Sequence, residues 1–159
     1  MIEMSEKSYA KVNILLKIAD KRDNYHELVS RFVRVHNLYD LMSFVKTSRK
    51  AFDIIGDFGC KMETNTVYKA YKLIEKCNGI NEFFKNYGVK IEKNIPEFAG
   101  LGGGSSNAAT FLIMVNKYCN LNLSKDELCQ IAFRIGADVP FFVYDYDSAN
   151  VTGIGELVS

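Results

Sequence analysis

A lysine, an aspartate and a run of glycines stand far apart in this chain: Lys11, Asp138, and "GLGGGSSNAA" from Gly100 to Ala109. Gly100, Leu101, Gly102, Gly103 and Gly104 lead through Ser105 and Ser106 into an Ala-rich apolar run, the pattern of a loop breaking into a helix. Glycines without a Cβ let the backbone bend around an anion and turn N–H groups inward. The helix adds its unpaired first-turn N–H groups and its positive dipole end. The serines add hydroxyl donors. A Gly-rich turn needed only for tight helix–sheet packing is the plainer alternative. Four glycines and two serines at a helix start favour a phosphate cradle over it.

Spacing narrows the kind of cradle. A Walker A loop requires a lysine after its last glycine, and Ser105 holds that place. The dinucleotide fingerprint G-x-G-x-x-G fits at Gly100 and Gly102 but meets Ser105 where the third glycine belongs. The loop also follows strand-rich stretches and a helix, not the first strand of a βαβ unit. Asp138, in "GADVPFF", is either a turn residue capping local N–H groups or a proton acceptor beside bulky apolar side chains. Lys11 is either a solvated edge lysine or a cation placed to stabilise negative charge. Asn13 shares its strand face and can hydrogen-bond a substrate or Asp138.

These residues need elements to bring them together. Residues 11–19 alternate, with Val12, Ile14, Leu16 and Ile18 on one face and Lys11, Asn13 and Lys17 on the other, which predicts a half-buried strand. "KRDNYHE" at 21–27 predicts a turn, and strands follow near 28–36, 40–47 and 52–55 in an antiparallel sheet. Val67, Ala70, Tyr71 and Ile74 have helical spacing, with Thr64 or Asn65 as cap and Gly79 as stop. Val89 and Ile91 predict a short strand, and residues 105–118 a helix. Ser124 and Glu127 have capping-box spacing, and Gly136 ends the helix that follows. "VPFFVY" is expected as a strand, and "ANVTGIGELV" as two strand pieces around a Gly-x-Gly turn. The order predicts one α+β domain over residues 1–159.

Composition excludes several classes. Twenty Lys and Arg against 19 Asp and Glu give a net charge of +1. That balance argues against a nucleic-acid or membrane-surface binder, which carries a basic excess or stripe. No apolar run is long enough to span a membrane, and the N-terminus lacks a secretory pattern. Cys60, Cys77, Cys119 and Cys129 form no C-x-x-C pair, and His26 and His36 are the two histidines, so a zinc site is not expected. The cysteines are expected as reduced thiols of a cytoplasmic protein, in buried packing roles.

The segment "P-x-x-x-GLGGGSSNAA" from Pro96 resembles the phosphate loop of the GHMP kinases. "SYAKVNILLKI", "NYHEL" at 24–28, "GADVPFF" at 136–142 and "VTGIGE" at 151–156 extend the resemblance over nearly the whole chain, toward one branch of that family. It implies a ribosomal protein S5 domain 2-like N-terminal domain, with a mixed, mostly antiparallel sheet packed with helices. It also implies a second, ferredoxin-like domain that these residues do not include.

The activity implied is transfer of the ATP γ-phosphoryl group, with Mg2+, to a hydroxyl of a small-molecule substrate, a cytidyl diphosphate sugar alcohol. By the same resemblance Asp138 is the catalytic base and Lys11 its partner. Tyr25 and His26 would hold the cytidine, by stacking and polar contact, with Asn13 beside the substrate. Asn65 and Lys93 would flank the adenine, and Pro96 and Gly100–Ser106 would wrap the phosphates. Protein ligands for the metal are unassigned. The sequence departs from the family at "EFA" after Pro96, where small residues are usual and Phe98 is bulky for a cradle. Another GHMP small-molecule kinase, or a non-catalytic S5-like RNA-binding module, is the competing expectation.

Overall fold

The computed structural model describes residues 3–22, 25–152 and 156–158, with side chains described over 3–14 and 30–151. Two long strands form its spine, β1 (Ser5–Arg22) and β2 (Tyr25–Lys46). They pair antiparallel down to Arg22 opposite Tyr25. Strand pairing therefore runs into the turn expected at 21–27, and the two strands expected at 28–36 and 40–47 are one. A register shift explains the apparent break. Tyr9 pairs with Tyr39 but Ala10 pairs with Val35, so His36, Asn37 and Leu38 bulge out of β2.

β2 is central. β1 lies along one edge; β4 (Tyr87–Glu92) and β5 (Ser148–Thr152) share the other. The short β3 (Ile54–Ile55) runs parallel to β4, and β6 (Glu156–Val158) is antiparallel to β5. The mixed, mostly antiparallel α+β expectation holds. Phe32, Met42 and Phe44 of β2, Val89 and Ile91 of β4, and Ala149 and Val151 of β5 build the sheet's share of one core.

Helices supply the other half. After a 3-10 turn at Met62–Thr64, α1 (Thr66–Ile74) is capped by Asn65, whose Oδ1 accepts from Val67 N at 2.9 Å. Gly79 does not stop that helix. It stands in the left-handed region (φ 87°) and opens the short α2 (Ile80–Phe84). In α3 (Gly103–Tyr118), Ala108, Ala109, Phe111, Leu112, Met114 and Val115 are buried. Small side chains at 108 and 109 let the helix approach the sheet closely. The capping box of Ser124 and Glu127 opens α4 (Lys125–Ile135), and Gly136 follows it as expected.

"VPFFVY" is a helix, α5 (Val139–Tyr144), rather than a strand. A short continuous apolar run has no period to separate the two. Pro140 fits the first turn of a helix, where no N–H is needed, and all five residues from Val139 to Val143 are buried. The alternation in β1 also misleads. Val12 and Ile14 are 38% and 47% exposed, whereas Lys11 is 4% exposed. Beside the bulge, Ala10 and Lys11 are buried in succession, and Lys11 N donates to Leu101 O at 2.9 Å, so the glycine loop covers the strand there. All four cysteines are free, but Cys60 is exposed, against the expectation of buried roles.

Candidate active site

The glycine loop has the backbone that its composition requires. Gly100 and Gly102 lie at φ 74° and 69°, in the region that side chains other than glycine adopt at a cost. At Gly102 there is also no space. A Cβ there would meet Lys11 Cγ and Cε at 3.0 Å and Phe142 Cζ at 3.1 Å. The loop thus lies directly on the lysine stem. From it α3 starts at Gly103, aiming its first-turn N–H groups into a cleft of about 580 Å³.

Lys11, Asn65, Lys93, Pro96, Gly100, Leu101, Gly102, Gly103, Gly104, Ser105 and Asp138 all line this cleft. Lys11 Nζ lies 3.6 Å from Asp138 Oδ2, donates to Asn13 Oδ1, and sits 4.5 Å from the centre of the Phe32 ring. Residues 127 positions apart in sequence thus form one ion pair at the cleft. Asp138 precedes α5 without capping it and is 38% exposed, so its carboxylate is open to a proton donor in the cleft. A carboxylate and an ammonium beside a phosphate cradle can take a proton from a hydroxyl and stabilise the charge that develops.

Three expected residues sit differently. Ser106 is buried and turned away from the cleft, its Oγ accepting from Ser8 Oγ at 2.9 Å. It lines a separate groove of about 740 Å³ with Lys7, Arg34 and Thr110. That groove is larger, but it contains neither the glycines nor Asp138; the glycine loop and the Lys11–Asp138 pair meet in the smaller cleft. Lys93 reaches the cleft, yet its ammonium is spent on Asp40 Oδ2 and on Asn107 Oδ1 at 3.1 Å. Asn65 lines the cleft while its Oδ1 caps α1. The side chains of Tyr25 and His26 lie outside the described residues.

Sequence reasoning missed Asp40. Fully buried, it accepts from Lys93, from Asn94 N at 2.6 Å, from Ile95 N at 2.8 Å and from Asn107 Nδ2 at 3.0 Å. Asn107 Nδ2 continues to Ser8 Oγ at 2.9 Å. One carboxylate therefore joins β2, the segment leaving β4, and α3. Its signal was an acid within the otherwise apolar strand "LYDLMSF", where burial of a charge demands partners. On the other wall, Thr66 Oγ1 donates to Gly104 O at 2.6 Å, tying α1 to the loop.

Fold and cleft together define an α+β domain with a glycine-lined cleft, and the chain belongs to the GHMP kinase family: residues 65–146 match the GHMP kinases N terminal domain. The chain is 56% identical over 159 residues to the 4-diphosphocytidyl-2-C-methyl-D-erythritol kinase of Sulfurimonas denitrificans, covering 96% of this chain and 60% of that protein. It is 38% identical to the enzyme of that name from Helicobacter pylori, covering 94% of this chain and 57% of the relative. A crystal structure of 4-(cytidine 5'-diphospho)-2C-methyl-D-erythritol kinase superposes with TM-score 0.76 at 33% identity, over 98% of this chain and 54% of that one. The Methanococcus jannaschii mevalonate kinase shares the fold, with TM-score 0.69 at 13% identity. The chain spans about three fifths of the length of the curated relatives it matches.

Proposed function

We propose that this chain is the nucleotide-binding part of an ATP-dependent kinase that phosphorylates the 2-hydroxyl of 4-diphosphocytidyl-2-C-methyl-D-erythritol, in the non-mevalonate route to isoprenoids. The observation that carries the reading is the Lys11–Asp138 pair at the glycine cleft, in a chain this similar to relatives of that name. As the substrate oxygen attacks the γ-phosphorus, the bond from phosphorus to the β–γ bridging oxygen breaks and ADP leaves. The hydroxyl proton passes to Asp138. Lys11 stabilises the carboxylate before transfer and the added negative charge during it. The loop N–H groups and Ser105 hold the transferring phosphates.

Magnesium would arrive on the nucleotide, held through phosphate oxygens and water, and would neutralise phosphate charge. The cleft fits that mode: its carboxylates are Glu97 and Asp138, and the described residues hold no group of three His, Cys, Asp or Glu that could bind a metal. Tyr25 and His26 are assigned to the cytidine and Asn13 to the substrate. A ferredoxin-like domain, in the length that this chain lacks relative to its relatives, is assigned the far wall of the cleft.

The test is steady-state kinetics of the full-length protein with this substrate. Asp138→Asn and Lys11→Ala should each lower kcat about 10²–10⁴-fold, as expected for a lost proton acceptor or charge stabiliser. Wild-type turnover in either variant would refute the assignment.

A further inference from the structure

Phe98 departs from the family pattern, and its geometry is costly twice over. Its backbone lies at φ 57°, where a bulky side chain is an outlier. Its ring is 92% exposed to water. Such strain persists where the surroundings impose it, and it gathers at ligand sites. Here the surroundings are identifiable. The neighbouring Glu97 reaches across the cleft, its Oε2 accepting from Gly59 N at 2.9 Å. A Cβ on Gly59 would meet that oxygen at 2.5 Å and Phe98 Cε2 at 3.8 Å, so the exposed ring lies beside Gly59. Phe58 and Cys60 of that loop, with Pro96 and Phe98, make an apolar rim on a cleft whose floor is polar glycine backbone.

A flat apolar rim beside a phosphate cradle matches a nucleotide: a π-face to stack on, next to a chain of phosphates. We propose that Phe98 is a stacking residue for the nucleobase of the phosphoryl donor, and that the bound base covers the ring left bare in the free protein. This rests on the cleft being the nucleotide site. The Glu97–Gly59 hydrogen bond ties the residue next to Phe98 to the 56–60 loop. Because every base has a π-face, the contact adds affinity with little choice among bases.

Calorimetry on the full-length protein tests this with two probes, MgATP and inorganic tripolyphosphate. Phe98→Gly suits the left-handed backbone, so the variant should fold with an undiminished Tm. It should bind MgATP about tenfold more weakly, the scale of one lost base–aromatic stack, and tripolyphosphate as before. Phe98→Tyr should restore MgATP affinity. Unchanged MgATP affinity in Phe98→Gly would overturn the proposal. So would an equal loss for both probes, which would mean that the residue acts through loop shape. A wild-type protein that binds neither probe would instead remove the nucleotide reading beneath it.

Discussion

Cys60 stands exposed on the cleft wall, whereas Cys129 is buried and burial pushes the Cys119 thiol up to about 11. The thiolate is the reactive form, so burial makes Cys119 a far slower nucleophile than an exposed thiol. Mass spectrometry after brief iodoacetamide treatment should find Cys60 modified first. MgATP should slow that modification, because the nucleotide would lie over the same wall. Equal labelling with and without MgATP would place the nucleotide elsewhere. The pair of Lys11 and Asp138, proposed above as catalytic, belongs to this scale too. Lys11 is an ordinary lysine in sequence, and its role emerges from the carboxylate 3.6 Å away and the loop lying on its stem.

Between elements, the buried Asp40 is the joint that sets the loop. It grips two consecutive backbone N–H groups after β4, the ammonium of Lys93, and Asn107 in the second turn of α3. Asp40→Ala leaves the largely buried Lys93 ammonium without its carboxylate and the Asn94 and Ile95 N–H groups without their acceptor. Urea unfolding should therefore show a loss of about 3–5 kcal/mol, the usual result of removing one member of a buried ion pair. A loss below about 1 kcal/mol would show that the network relaxes at little cost. The β2 bulge works at the same scale. It shifts the register between Tyr9 and Ala10, just before Lys11, which is buried where the glycine loop lies on it.

On the scale of the whole molecule, β1 carries an apolar surface as well as the cleft lysine. Val12 and Ile14, 38% and 47% exposed on β1, lie on the strand that carries Lys11. We assign this surface to the domain proposed from the relatives' greater length. The 159-residue chain alone should phosphorylate the substrate at least about a hundredfold more slowly than the full-length protein, since misplaced substrates lose that much. Its exposed apolar strand should favour self-association, read as a concentration-dependent mass in light scattering. Full activity from a strictly monomeric 159-residue chain would refute both expectations.

Local signals were legible where local physics decides. The capping box, the Asn65 cap, the α3 glycines and the short β4 follow from hydrogen-bonding and conformational preferences within a few residues. The resemblance spread over "SYAKVNILLKI", "GLGGGSSNAA" and "GADVPFF" named the family, and eleven of the residues it pointed to line the cleft. Sequence alone went wrong where distant contacts decide. "VPFFVY" is helical because its packing favours a helix, and apolar runs carry no period. Lys11 is buried because the glycine loop, 90 residues onward, lies over it. Ser106, Lys93 and Asp40 have their partners on other elements, so only the tertiary structure could show which polar groups were already satisfied and which faced the cleft.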